Sequence, residues 1–185
     1  EYVCKKNNIL KCIEDDAKIL YRNISECKHI SGKNAGKFVI TRGDNRKGMI
    51  AACLFYACKR KGKPRSPKEI SHMFNLVHTN ITIGCNIFIK LCKLRKLDYE
   101  FSSSDPEQYI PRFCKILSIK NQEHIDISLK IAVNSQKLLI ASMHTPLSIA
   151  TASISLMITM HKIKITKKYI ASSFNVSEVT INKAH

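Results

Sequence analysis

A chain of 185 residues with 44% hydrophobic content is large enough to bury one sizeable core or two small ones, which excludes a disordered, purely charged tail. Its formal net charge of +17, from 31 Lys and Arg against 14 Asp and Glu, is spread along the chain and points to a polyanionic partner, nucleic acid first. The longest weakly polar run, Ile149 to Met160, is too short to span a bilayer and carries Ser and Thr, so no membrane partner is expected.

The 8 cysteines include no CxxC pair, and several sit inside apolar helical patterns where a free thiol behaves as a small hydrophobe, as in a reducing compartment. A zinc site from Cys4, Cys12, Cys27 and His29 is the sharper alternative, but its spacing matches no common ligand pattern, and no metal or other cofactor is expected. The chain opens at Glu1 without a methionine or a leader and stops at His185 inside a helical pattern, as an excised piece would.

Apolar residues recur at three- and four-residue spacing through nearly every segment, so the class is all-α. The first predicted helix runs from Asn8 to Lys28 with Ile9, Cys12, Ile13, Ile19 and Leu20 on one side, and its Glu14, Asp15, Asp16 run reads as a solvated face. Residues 31–43, "SGKNAGKFVITRG", form a loop. A second helix spans about Asp44 to Lys61 and ends in the basic loop "KGKPR". Ser66-Pro67-Lys68-Glu69 is a capping box with proline at the first helical position, opening a short helix to about Asn75. Another helix fills Thr79 to Lys96, and "YEFSSS" is a linker. Asp105-Pro106 restarts helix, Asn121 caps a long helix to about Ser142, Thr145-Pro146 caps the next, and Thr166 and Ser177 cap the last two.

The segment "SPKEISHMFN" at 66–75 is echoed by "TKKYIASSFN" at 166–175. At this offset of one hundred, Ala52 pairs with Ala152, Leu54 with Ile154, Ser66 with Thr166, Ile70 with Ile170, Phe74 with Phe174, Asn75 with Asn175 and Ile81 with Ile181. Two unrelated amphipathic helices would share periodicity but not caps and breakers, so an internal duplication is expected. The predicted domains are 1–98, a linker at 99–104, and 105–185.

The stretches "MIAACLFYACKRKGKPRSPKEIS", "YIPRFCKILSI", "PLSIATASISLMI" and "TKKYIASSFNVSEVTI" resemble the core domain of the transcription factor IIB family and its archaeal and viral relatives, over roughly residues 42–185. That resemblance implies two tandem five-helix cyclin-type repeats, the second ending in a helix-turn-helix. In three respects the chain departs from the pattern: the first repeat's opening helix is missing or reduced, the loop at 31–43 is long, and the amino-terminal zinc ribbon is absent from these residues.

On its own terms "KKYIASSFNVSEVTINKA" is a helix-turn-helix: Ile170 and Phe174 face inward, Ala171 is small at the crossing, and Asn175 takes the left-handed turn. Val176 and Ile181 clamp the second helix, which Ser177 caps and Glu178 suits. Steps of about 100° leave Val179, Asn182 and Lys183 outward, with Ile181 and Ala184 inward. The resemblance implies that Val179 and the residue at Asn182 touch bases, with asparagine replacing the family's arginine and so shifting preference from guanine towards adenine. Lys167, Lys168, Thr180 and Lys183 are expected on the DNA backbone, as is the loop set Lys59, Arg60, Lys61, Lys63 and Arg65, because ammonium groups grip phosphates without base-specific geometry.

No nucleophile–base order, phosphate loop or HExxH occurs, and His72, His78, His144 and His161 read as surface or helix-end residues, so no enzyme is expected. The resemblance implies a monomeric general initiation factor that binds promoter DNA near a TATA-like element together with a TATA-binding protein, and bridges to RNA polymerase. Its place would be the nucleus, or a viral factory, the latter in keeping with the abundance of Lys, Ile and Asn expected of an AT-rich genome. The alternative is a cyclin-like scaffold that binds protein and no DNA. A dimeric sequence-specific repressor would need a partner helix that the pattern lacks.

Overall fold

The computed structural model describes residues 1–99, 104–138 and 143–184, without the side chain of Ala184. The chain divides into two compact units, Glu1–Ser102 and Ser103–His185. Both are helical, and among the described residues there is no strand, only two isolated bridges. Unit 1 holds α1 (Tyr2–Lys6), α2 (Lys11–Ser25), α3 (Gly43–Arg60), α4 (Pro67–Phe74) and α5 (His78–Leu94). Unit 2 opens with a 3-10 turn, Pro106–Gln108, followed by α6 (Ile110–Ile116), α7 (Gln122–Lys137), α8 (Pro146–Met160), α9 (Lys167–Phe174) and α10 (Glu178–Ala184).

Each unit is organised around one helix buried on almost every side. In unit 1 this is α3, whose Ala51, Ala52, Cys53, Leu54, Tyr56, Ala57 and Cys58 are all buried, as a helix apolar all round must be. In unit 2 it is α8, where hydroxyl residues stand among the apolar ones. Two of them turn on their own helix, Thr151 Oγ1 donating to the Leu147 carbonyl at 3.0 Å and Ser153 Oγ to the Ile149 carbonyl at 2.9 Å, whereas Ser155 Oγ is buried without a hydrogen-bond partner.

The duplication extends to the backbone corners. Asn75 and Asn175 are both left-handed, at φ 50° and 54°, and each is followed by the same closure, Leu76 N–H to the Ser71 carbonyl at 2.9 Å and Val176 N–H to the Ala171 carbonyl at 3.1 Å. Gly62 and Lys162 repeat this after α3 and α8, with φ of 63° and 51°. At the start of each unit the offset is larger: Asn8 and Ser118 are left-handed, and Ile9 and Ile119 donate to the carbonyls of Cys4 and Cys114, both at 2.9 Å. So α1 matches the end of α6, and Asn8 stops it. The expected helix from Asn8 to Lys28 therefore begins three residues later, at Lys11, behind a left-handed asparagine.

The difference between the offsets, 110 and 100, lies between α2 and α3, where unit 1 carries ten more residues than unit 2. They fold as a small tongue: Val39 N–H donates to the Cys27 carbonyl at 2.8 Å, single bridges join Lys28 to Phe38 and His29 to Ala35, and Cys27 Sγ donates to the Leu91 carbonyl at 3.4 Å.

On α2 two expectations fail. Cys12 and Ile19 are exposed, because the inward stripe runs through Ile13, Leu20 and Ile24 and they lie roughly 100° or more to one side of it. The carboxylate run is not a solvated face either: Glu14 is 5% and Asp16 7% exposed. Glu14 is gripped by Lys18 at 2.7 Å and Lys11 at 3.1 Å, which pull its carboxyl down to about 2. Asp16 meets Arg60 at 3.4 Å while its Oδ2 is buried without a hydrogen-bond partner. Only Asp15 faces solvent as expected.

The remaining helix bounds follow the caps. Ser66 Oγ accepts from the Glu69 N–H at 3.1 Å and Glu69 Oε2 accepts from the Ser66 N–H at 2.7 Å, completing the capping box. Thr145 and Thr166 cap α8 and α9 through their hydroxyls, and Asn121 caps α7. α7 ends at Lys137 with Leu138 as its C-cap, short of the expected Ser142; residues 139–142 lie outside the described residues, as does most of the linker. Tyr99, at the start of that linker, packs on unit 1, taking a hydrogen bond from Asn23 Nδ2 at 2.9 Å.

Candidate nucleic-acid interface

The helix-turn-helix is built by α9 and α10. Ile170 and Ile181 are fully buried, and the Phe174 ring stacks on Phe113 of α6 with centroids 3.8 Å apart, so the hairpin is anchored to the unit's own core. Left-handed Asn175 makes the turn, and Ser177 Oγ accepts the Thr180 N–H at 3.0 Å at the start of α10.

This anchoring leaves a defined outward face. Val179 is 62% exposed, and Asn182 and Lys183 are exposed beside it. Thr180 is half-buried with its hydroxyl 2.6 Å from Ser177 Oγ, so it belongs to the cap and is less able to serve as a phosphate donor. Lys168 is exposed, and Lys167, the first residue of α9, donates from Nζ to Asn182 Oδ1 at 2.8 Å. The sequence named both members of this pair but not their meeting. Nothing at a separation of fifteen residues signals it, because it depends on the angle at which Asn175 folds α10 back on α9.

The basic loop of unit 1 sorts its five cations. Lys61 and Lys63 are exposed on either side of Gly62. Lys59 lies over the rings of Phe55, at 5.6 Å, and Tyr56, at 5.9 Å, and its burial there pushes the ammonium below its usual range. Arg60 reaches back to buried Asp16 and stacks over Tyr99 at 5.1 Å. Arg65 is mostly covered and lies 3.7 Å from Glu69 of the capping box. Arg60 and Arg65 therefore hold the loop to the unit, while Lys61 and Lys63 face outward. A carboxylate run on α2 was the available signal for the Arg60 partner.

The residues weighed for zinc do not converge. Among the described residues no group of three or more His, Cys, Asp or Glu could hold a metal; Cys4 and Cys27 are buried and Cys12 faces solvent. None of the 8 cysteines is in a disulfide. Burial pushes the Cys114 and Cys92 thiols up to about 11, as small core hydrophobes require. Among the described residues no helix is long and apolar enough to cross a membrane.

The family model for the transcription factor TFIIB repeat matches residues 1–90. The chain is 40% identical over 188 residues to a transcription initiation factor IIB-like protein of Acanthamoeba polyphaga mimivirus, covering 99% of this chain and 40% of that one. The chain belongs to the transcription factor IIB family. With transcription initiation factor IIB of Dictyostelium discoideum the identity is 30% over 183 residues, 96% of this chain and 50% of that protein. With transcription initiation factor IIB 3 of Halobacterium salinarum it is 27% over 164 residues, 89% and 50%. The chain thus spans two fifths to one half of the length of these curated relatives.

The two units are the family's cyclin-type all-α repeats. The family-model match lies within unit 1 and starts earlier than the sequence motifs indicated. It begins at residue 1, not 42, so α1, α2 and the tongue belong to the transcription factor IIB repeat as well. Their signal was hidden by the ten extra residues, which break the offset of one hundred upstream of α3.

Proposed function

We propose that the chain is the DNA- and protein-binding core of a transcription initiation factor IIB-type protein. It engages a TATA-binding protein already seated on promoter DNA, contacts DNA beside a TATA-like element through α10, and helps carry RNA polymerase to the start site. The observation that supports this most is the helix-turn-helix at the end of the second repeat: rigidly stacked on its own core, it turns a valine, an amide and a lysine to solvent on a chain of net charge +17. An outward valine is poorly suited to water and well suited to a thymine methyl or a sugar edge. Val179 and Asn182 are the proposed base contacts; Lys61, Lys63, Lys167, Lys168 and Lys183 are the proposed exposed cations near phosphate, with Lys59, Arg60, Arg65 and Thr180 supporting them.

The action is assembly without bond-making chemistry, in a nucleus or a viral factory. A gel shift with TATA-containing duplex, with and without a TATA-binding protein, tests the proposal. The expected outcome is weak, salt-sensitive binding alone and a sharp gain with that partner. A chain that leaves DNA and the TATA-binding protein–DNA complex unshifted is a cyclin-like protein scaffold instead.

A further inference from the structure

Lys167 Nζ donates to Asn182 Oδ1 at 2.8 Å, across the two helices of the hairpin. An ammonium has only donors, so this bond fixes the amide: Oδ1 points at Lys167 and Nδ2 points away. The outward atoms of the pair are then Nδ2, with two hydrogens, and Nζ, with those not given to Oδ1. All are donors. Among the described residues the recorded side-chain bond of Lys167 and of Asn182 is to each other, and Glu178, one turn earlier on α10, is exposed. Val179 and Lys183 add an apolar group and another donor to the same face.

A free asparagine recognises adenine because it accepts from N6 with Oδ1 while donating to N7. Oδ1 keeps a second lone pair, but the ammonium 2.8 Å away crowds and repels an approaching N6 amino group, so the match to adenine is weakened. The major-groove edge with two adjacent acceptors is guanine, at O6 and N7. We infer that Lys167 and Asn182 act as one composite donor fork that selects guanine, so that Lys167 is a specificity-determining residue and not a phosphate clamp. The inference rests on the proposed placement of α10 in the major groove. It belongs to unit 2 alone: one hundred residues earlier stand Pro67, which has no side-chain donor, and Thr82.

The test selects bound sequences from duplexes randomised upstream of a TATA element, with a TATA-binding protein present, using the whole chain and the variants Lys167→Met, Lys167→Arg and Asn182→Ala. Guanine is expected at one position for the parent and for Lys167→Arg, which keeps the donor. With Lys167→Met, Oδ1 is released, and relative enrichment should move towards adenine at that position by about tenfold. Asn182→Ala should lose the preference. Melting curves of Lys167→Met should match the parent, since both side chains are exposed. If the parent selects adenine, or Lys167→Met keeps guanine while Asn182→Ala loses it, the composite fork is wrong although α10 still reads bases. If Asn182→Ala leaves selection unchanged, α10 is not in the groove, and both the fork and the proposed DNA-reading role fall.

Discussion

The crossing of α3 and α5 can be tested by adding one methyl group, Gly84→Ala. A Cβ on Gly84 would lie 2.1 Å from the Gly48 carbonyl oxygen, 2.3 Å from its carbon and 2.9 Å from the Met49 nitrogen. Non-bonded contacts to carbon settle near about 3.5 Å or more, so the helices would have to part by roughly 1 Å. The obstacle is backbone, which has no rotamer to escape into. Overpacking of this kind costs about 1–3 kcal/mol, with the upper end fitting a backbone clash. Alanine returns up to about 1 kcal/mol through helix propensity. The expected net loss is about 2 kcal/mol, concentrated in unit 1, where the parted helices would loosen the stacked rings of Tyr56 and Phe88, now 4.6 Å apart. Hydrogen exchange on the whole chain reads the two units separately: exchange through global opening of α3 and α5 should quicken about thirtyfold, with unit 2 unchanged. Asn86→Ala on the exposed side of the same helix is the control, expected to be neutral or slightly stabilising. Protection in Gly84→Ala equal to the parent would refute the close crossing.

Three further outcomes follow from local geometry. Ser66→Ala removes the acceptor of the Glu69 N–H and should cost about 1 kcal/mol, as should Thr166→Ala, which removes that of Tyr169; melting or urea transitions check both. Glu14, held near 2 against an ordinary 4.5, contributes stability that is complete above pH 4.5 and is lost as the pH falls through 2. Glu14→Gln should therefore flatten the acid side of the stability curve in that window, and an unaltered acid profile would deny the Lys11 and Lys18 grip. In DNA binding, the four exposed lysines left at phosphates, Lys61, Lys63, Lys168 and Lys183, predict a log-log salt slope of about −3.6, and Lys61→Ala should bring it about one unit nearer zero without altering base selection. A slope unchanged in that variant would remove Lys61 from the interface.

What could be read from the sequence was whatever local chemistry fixes. Ser66-Pro67-Lys68-Glu69 commits its backbone within four residues, and asparagine is the side chain that takes the left-handed corner most readily after glycine, as Asn75 and Asn175 do. The duplication followed because such signals recur at constant spacing. What escaped depends on a partner far along the chain. Asp16 looked solvated because Arg60, forty-four positions later, was not known to fold over it, and α1 was lost because its stop signal is one asparagine with φ near 50°. The outward valine could be predicted from helical phase alone, whereas the Lys167–Asn182 bond required the hairpin angle.

The duplicated scaffold also explains how one chain could hold DNA in two different ways. Caps and corners match at the offset of one hundred because both units must fold, but the surface positions between them have diverged. Where unit 1 has Lys59, Lys61, Lys63 and Arg65, unit 2 has Thr159, His161, Ile163 and Ile165, the two isoleucines half-buried, and its exposed loop lysines, Lys162 and Lys164, fall instead at the positions of Gly62 and Pro64. Where unit 2 has Lys167, Val179 and Asn182, unit 1 has Pro67, Thr79 and Thr82. The lysine loop offers point charges on a glycine corner, suited to phosphates of any sequence; the hairpin offers fixed groups on a stacked core, suited to one base edge. On the proposed DNA-binding role, affinity and selectivity would then be altered separately by changes in different repeats.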